Sequence, residues 1–418
     1  MDAPAQRLDE VDLTDLDVFE RGGAWELFDV LRAQAPLHRT EEAAGAGFWS
    51  VTRHADVVRV TRDAQTFSSE TGGANLEELD AEQLEARRSM LETDGARHRA
   101  LRRLLQHEFT PRGLAGYEVF LRGLSRATVE AALAHESFDV VEAISADLPI
   151  RVLARMLDVP AERTDDLIAW GNRMVGNSDP DYADVLADSP ESEEFRLLPF
   201  RSPAALEVFE YGLELAAQRR GGDGGDLVSR LVNQVPEDGL PLSERDFRTY
   251  FLLLVVAGNE TTRHAISHTI EALLRHRDQL ALLQAEPTRI PAAVEEFLRW
   301  ASPVYHFRRT ATRDVDLHGR TVRAGDKVVV WFASANRDER VFDDPYRVDV
   351  LRRRVDHLAF GKGGPHFCLG NQLARLELRI MLEELVPRLP EGLRRTGPVT
   401  RVRSNFVNGI KSFPVSPA

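Results

Sequence analysis

The stretch FGKGGPHFCLG, Phe360 to Gly370, holds Cys368, the only cysteine in the chain. By default a single thiol is a small buried hydrophobe. Its neighbours point to chemistry. Gly361, Gly363 and Gly364 let the backbone turn sharply and lie close against something flat. LGNQLARLELRI follows at once, with Leu369, Leu373, Leu376 and Ile380 at helical spacing, so the sulfur lies at a helix N-terminus, where the dipole and free N–H groups favour a thiolate. A thiolate on such a loop suits axial ligation of a haem iron. One cysteine also excludes an intramolecular disulfide and any all-cysteine zinc or iron–sulfur site.

A second constellation is Ala257-Gly258-Asn259-Glu260-Thr261-Thr262. Thr261 can bond back to the carbonyl of Ala257 and open a helix where Gly258 permits close approach. Glu260 beside it makes an acid–alcohol pair suited to proton delivery. The plain alternative is a buried helix with one tolerated glycine. A third is Glu296-Phe297-Leu298-Arg299, whose Glu and Arg at i and i+3 share a helix face, a pair common on solvated helices. His98 and Arg102, at i and i+4, either bind an anion together or belong to a solvated basic face, since Arg97, Arg99, Arg102 and Arg103 crowd one short segment.

The elements that position these groups are mostly helices. The clearest begins at Ser243, where Ser243 and Asp246 fit a capping box, and runs to about His276 through the all-apolar LLLVVAG, long enough at roughly 50 Å to cross the molecule. Another covers Pro291 to Trp300, with proline in the first turn. DVDLHGRTVRAGDKVVVWF alternates as short strands, and GFWSVTRHADVVRV carries a similar strand pattern. Asn408-Gly409 is a two-residue hairpin signal. Gly176 to Pro203 and the GGDGGD run from Gly221 read as surface connections. With strands from both ends, residues 1–418 read as one interwoven, mainly α domain with small β-sheets and a loose N-terminus over about 1–15.

With 43% hydrophobic and 29% charged residues the chain can bury a large core, and its net charge of -14 argues against nucleic acid as a partner. No run is long and apolar enough for a membrane span, and the acidic N-terminus is unlike a signal peptide, so a cytoplasmic monomer is expected.

FGKGGPHFCLG resembles the haem-binding loop of the cytochromes P450, and the resemblance extends over nearly the whole chain. Phe360 stands one residue further from the cysteine than in the common family pattern, while Gly364, His366 and Gly370 keep their places; the extra residue falls within Gly361 to Gly364. AGNETT resembles the family's acid–alcohol motif and EFLR its buried Glu–Arg pair, which a second arginine completes: Arg352, with Arg353 as competitor. The resemblance implies a cytochrome P450 fold with its long central helix over haem b (iron protoporphyrin IX), Cys368 as axial ligand, and Gly370, Ala257 and Phe360 against the porphyrin. It assigns the propionates to His98, Arg102, Arg309 (Arg308 competing) and His366, and proton delivery to Glu260 and Thr261.

The activity implied is monooxygenation with O2. No flavin or nicotinamide fingerprint is visible, so ferredoxin and ferredoxin reductase are expected to supply the electrons. GNRMVGNSDPDYA, VYHFRRTATRD, WFASANRDE and RSNFVNGIK resemble the actinobacterial branch acting on steroids, terpenoids and fatty acyl chains, hence a small hydrophobic substrate held by Val256, Val304, Tyr305, Phe406 and Val407 and by the 67–90 and 174–200 segments, with His306 as an orienting group or a merely packed one. Tailoring of a polyketide, or haem binding without turnover, are the rival readings.

Overall fold

The computed structural model describes residues 8–42 and 45–416. A central helix, Glu244–Arg275, spans 32 residues, roughly 48 Å at 1.5 Å per residue. It starts where the capping box predicts: Ser243 Oγ accepts from the Asp246 N–H at 3.1 Å and Asp246 returns the bond to the Ser243 N–H at 3.2 Å. Its middle is buried on most sides, Glu260 and Arg263 included. The expected opening at Gly258 is absent: Thr261 Oγ1 does donate to the Ala257 carbonyl at 2.9 Å, yet the helix runs through unbroken. Sharing one carbonyl lone pair with a hydroxyl leaves the helical bond to the other.

Around the central helix pack Gly95–Gln106, Thr164–Val175, Ile290–Ala301 and the cysteine helix Asn371–Leu385. Proline in the first turn of Ile290–Ala301 replaces an N–H that would lack a partner.

The main sheet has strand order Leu37–Thr40, Phe48–Val51, Lys327–Trp331, His306–Ala311, Phe67–Ser68, joining the early and late thirds of the chain. Phe48–Val51 runs parallel to Lys327–Trp331 and the other pairs are antiparallel. The strand pattern of GFWSVTRHADVVRV holds for its first half only. His54–Arg62 is a helix, because Val57, Val60 and Thr61 fall on one buried helical face. Asn408-Gly409 is not a two-residue turn either: Thr400–Arg401 pairs with Ile410–Ser412 around a longer loop. Asn408 is used for tertiary bonding instead, donating to the Ala301 carbonyl at 2.8 Å and accepting from the Tyr305 hydroxyl at 2.9 Å.

Of the segment expected to be loose, residues 1–7 lie outside the described residues, while Val11 and Leu13 are packed into a core with Phe19, Phe28 and Trp331. Among the described residues no helix is long and apolar enough to cross a membrane.

Candidate active site

One cavity is lined from one side by Leu253, Leu254, Ala257, Gly258, Thr261, Thr262 and Ala265 of the central helix, and from another by Phe360, Phe367, Cys368, Leu369 and Gly370 of the cysteine loop. Small side chains explain the access. Ala257, Gly258 and Thr261 are the exposed or half-exposed positions on an otherwise buried stretch.

The loop approaches the body of the protein as closely as its glycines permit. Gly363 has a φ of 78°, and a Cβ on Gly364 would lie 1.9 Å from the Thr61 carbonyl oxygen. These glycines therefore clear the His54–Arg62 helix, where clearance for a flat ligand was expected. The Cys368 N–H donates to the Phe360 carbonyl at 2.9 Å, so the longer loop closes on itself and keeps Phe360 at the cavity. The helix proper begins at Asn371, capped at Gly370, and Asn371 Nδ2 bonds the Cys368 carbonyl at 2.8 Å. Cys368 is half-exposed and lines the cavity. Burial pushes its thiol up, with the Gly370 N–H, Arg102 and Arg375 opposing. In this setting a bound metal, rather than the helix terminus, would hold the thiolate.

At one edge the cavity meets His98, Arg102, Arg309 and His366. The His98 and His366 rings lie with centroids 4.2 Å apart, tilted by 39°. His366 Nε2 lies 3.1 Å from Asp94 Oδ1, which brings the Asp94 carboxyl down to about 2 although burial alone would raise it. Burial, together with His366 and Arg102, lowers His98 to about 4, and its Nδ1 is buried without a partner. Burial brings Arg309 to about 10; among the described residues its guanidinium bonds only the Arg308 carbonyl, at 2.7 Å. Among the described residues neither Arg102 nor Arg309 has a carboxylate within ion-pairing distance, whereas Arg308 reaches Glu78 at 3.7 Å. Two sequestered guanidiniums and an orphaned imidazole nitrogen are a cradle for carboxylates supplied from outside. A soft sulfur ligand, an apolar cleft and this edge are the donor set that haem, with its iron and two propionates, would satisfy.

The acid–alcohol pair is split. Thr261 faces the cavity, but Glu260 points toward the Thr164–Val175 helix, bonded by Arg263 at 2.6 Å and Asn259 at 3.1 Å, with His264 at 3.4 Å. Arg263 in turn donates to Asn172 Oδ1 at 2.7 Å. Burial would raise Glu260; Arg263 and His264 outweigh it and leave the carboxyl below its ordinary range.

Behind the loop, Glu296 accepts from Arg299 Nε at 2.8 Å and Nη2 at 2.7 Å and from Arg352 Nε at 3.1 Å. Arg352 makes this contact rather than Arg353. Arg299 carries on to the carbonyls of Asn336 and Pro345, both at 2.9 Å, so the pair ties the approach to the cysteine loop.

Of the five expected substrate contacts, Val304 lines the cavity and the other four do not. Val256 faces the core, away from the Ala257–Thr261 face. Tyr305 is buried against Phe19, Trp25 and Phe28. Val407 is buried where it bridges to Val304. Phe406 lines a second cavity instead, as do Val175 and Phe200 of the 174–200 segment and His306. Phe307 and Glu377, missed in the sequence, line the first. Glu377 is buried with both carboxyl oxygens unpartnered, and burial raises it well above the usual range, against the Thr262 hydroxyl. The signal was available: it follows Leu373 by one helical turn, on the apolar face.

Residues 217–390 match the family model described as Cytochrome P450. The methyl-branched lipid omega-hydroxylase of Mycobacterium tuberculosis is 37% identical, covering 98% of this chain and 94% of that protein. The linalool 8-monooxygenase of Pseudomonas putida is 35% identical over 98% of this chain and 99% of its own length. A steroid C26-monooxygenase of Mycolicibacterium smegmatis is 34% identical over 92% and 88%. Among solved structures, a Mycobacterium marinum cytochrome P450 in complex with pseudoionone superposes with a TM-score of 0.88 at 37% identity, covering 99% of this chain and all of that one.

Proposed function

Because the chain belongs to the cytochrome P450 family and is a P450 monooxygenase, we propose that it hydroxylates or epoxidises a bulky apolar compound of the steroid, terpenoid or fatty acyl kind. The observation that carries this reading is the single cavity lined both by Cys368 and by the Ala257–Thr261 face, with an unpaired cationic edge. Cys368 would ligate the haem iron; His98, Arg102, Arg309 and His366 would receive the propionates; Phe360, Gly370 and Ala257 would lie against the ring. A chain with one cysteine has no pair for thioether attachment, which supports haem b. When bound, haem supplies O2 activation and insertion of one oxygen atom into a C–H bond, with thiolate donation favouring O–O cleavage.

The chain's own residues bind, exclude and relay. Leu253, Leu298, Val304, Phe307 and Phe332 give the cavity an apolar wall that would desolvate a hydrocarbon and keep water out. The Thr261 hydroxyl, anchored to the Ala257 carbonyl, holds a proton at the cavity surface. Glu260, on leaving Arg263 and taking up a proton from water, would reload it. Relatives named as lipid, linalool and steroid hydroxylases support the substrate class. Ferredoxin and its reductase would deliver electrons, with Arg99, exposed on the helix that carries His98 and Arg102, available to an acidic carrier. Matches over nearly the whole chain, with a sheet built from both ends, support reading residues 1–418 as one haem domain.

The test is the reduced carbon monoxide complex. A strongly red-shifted Soret band is expected, and Cys368→Ala loses it. Haem absorption with no such shift, or its survival in Cys368→Ala, refutes the ligand assignment; O2-dependent hydroxylation of a steroid, terpene or fatty acid by the ferredoxin-reconstituted enzyme tests the rest.

A further inference from the structure

The cysteine helix Asn371–Leu385 presents two faces. Leu373, Ala374 and Glu377 line the cavity of Cys368. Arg375 and Arg379 face a separate cleft of about 320 Å³, beside the exposed Gln372.

Arg375 reaches from this outer face back to the cysteine loop. Its guanidinium carbon stands 4.5 Å over the Phe360 ring, which lines the cavity with Cys368. Nη1 donates to the Asn371 carbonyl at 3.2 Å and to Asn371 Oδ1 at 2.9 Å. The Asn371 amide donates in turn to the Cys368 carbonyl at 2.8 Å. One guanidinium therefore holds both ends of the loop, Phe360 by the face of its ring and Cys368 through Asn371.

A different edge of the same guanidinium is fixed by an anion. Glu295 of the Ile290–Ala301 helix accepts from Nε at 2.7 Å and from Nη2 at 3.0 Å, a bidentate pair. It also lies 3.1 Å from His357 Nε2. Burial would raise the Glu295 carboxyl, but His357 and Arg375 bring it down to about 2, so it carries a full charge at neutral pH.

These charges are placed unequally about the sulfur. Arg102 and Arg375 both draw the Cys368 thiol down, and Glu295 does not oppose them. Arg102 lines the cavity, where a propionate would offset its charge. Arg375 stands outside the cavity, and its counter-charge is Glu295.

We infer that Arg375 sets the reduction potential of the bound haem: its positive charge, stacked on Phe360 and bonded through Asn371, favours the extra electron of the reduced thiolate complex, and Glu295 moderates that pull. This rests on the reading of Cys368 as the iron ligand. Arg375 acts through the loop and is a positioning residue for electron entry. Hydrogen bonds and charges around a sulfur ligand are levers that a protein has on such a potential.

The test is spectroelectrochemical titration of the haem-loaded enzyme, with the reduced carbon monoxide spectrum recorded on the same samples. Arg375→Met is expected to lower the ratio of reduced to oxidised haem at a fixed applied potential about tenfold, or about 59 mV for one electron. That is the scale of a partly screened unit charge one aromatic ring away. Glu295→Gln keeps the shape and removes the opposing charge, so the ratio moves the other way, upward by about threefold. Arg375→Lys keeps the charge without the planar fork and recovers most of the Arg375→Met shift. A merely structural role moves Arg375→Met and Glu295→Gln in the same direction, because both break one pair. Shifts of the same sign, no shift in either, or an Arg375→Lys potential equal to that of Arg375→Met overturns the assignment alone, provided the red-shifted Soret band is intact. If Arg375→Met fails to retain haem, Glu295→Gln decides: a rise supports the assignment, and a fall or no change overturns it. Absence of the red-shifted band from the wild-type enzyme overturns the ligand reading and this inference with it.

Discussion

Replacing Glu296 by glutamine tests whether the ion pair behind the cysteine loop supports the site. Its two carboxylate oxygens accept three guanidinium bonds, and Oε1 accepts a fourth from the Asp349 N–H at 3.0 Å. Arg299 is 0% and Glu296 1% exposed, so water cannot replace a lost partner. Glutamine keeps the shape but points an N–H2 at guanidinium donors and leaves Arg299 an uncompensated buried cation. Breaking such a pair by removing one partner costs about 3 to 5 kcal/mol. With an unfolding entropy of roughly 2 cal/mol/K per residue over 418 residues, that is a fall in Tm of about 3 to 6 °C. Because Arg299 and Arg352 also bind carbonyls on the way to the loop, haem content is expected to fall alongside. The comparison is Glu286→Gln, which breaks an exposed pair with Arg289 and is expected to cost no more than about 1 kcal/mol. The assay is differential scanning calorimetry with haem quantified on the same samples. Equal Tm values for Glu296→Gln and Glu286→Gln, both with full haem, would refute the argument from burial.

Thr261→Ala removes a cavity-facing hydroxyl whose only bond among the described residues is back to its own helix, so Tm changes little, while oxygen consumption separates from product and peroxide accumulates; full coupling in an oxygen-electrode and product assay would sink the proton-holding role. Glu271 links the central helix to Arg401 of the C-terminal hairpin at 3.2 Å. Burial would raise its carboxyl, but His268 and Arg401 bring it down to about 2 from 4.5. A depressed carboxyl stabilises the fold fully above its unfolded pKa and loses that contribution as pH falls through the folded value, so Glu271→Gln costs at most about 3 kcal/mol near neutrality, and the gap from wild type narrows from about pH 5 downward. Urea unfolding followed by circular dichroism across that interval checks it, and a gap independent of pH refutes it.

What could be read in the sequence was what local rules decide. The central helix announced itself through Ser243, Asp246 and an apolar run, and its ends fall where capping predicts. The cysteine loop was legible because glycines at positive φ and a lone thiol before a helical repeat admit few purposes. Less legible was anything set by what lies across a gap. Gly364 reads as clearance for a ligand until the Thr61 carbonyl is seen against it. Glu260 reads as half of a pair with Thr261, since adjacency in sequence cannot show that neighbours on a helix point about 100° apart and that Arg263 and Asn172 claim one of them. Tyr305 fails in the same way: its neighbour Val304 reaches the cavity, while Tyr305 packs against Phe19, Trp25 and Phe28.

The separation of Glu260 from Thr261 has a consequence for how the site works. A carboxylate bonded at 2.6 Å to a buried arginine is a poor proton donor while the pair is closed, and Arg263 is held in turn by Asn172 on the Thr164–Val175 helix. That helix ends at Val175, which with Asn177 and Phe200 lines the cavity of Phe406 and His306. Any proton relay from Glu260 to Thr261 would first have to break the Arg263 pair, so Asn172, which holds Arg263, would set part of its cost.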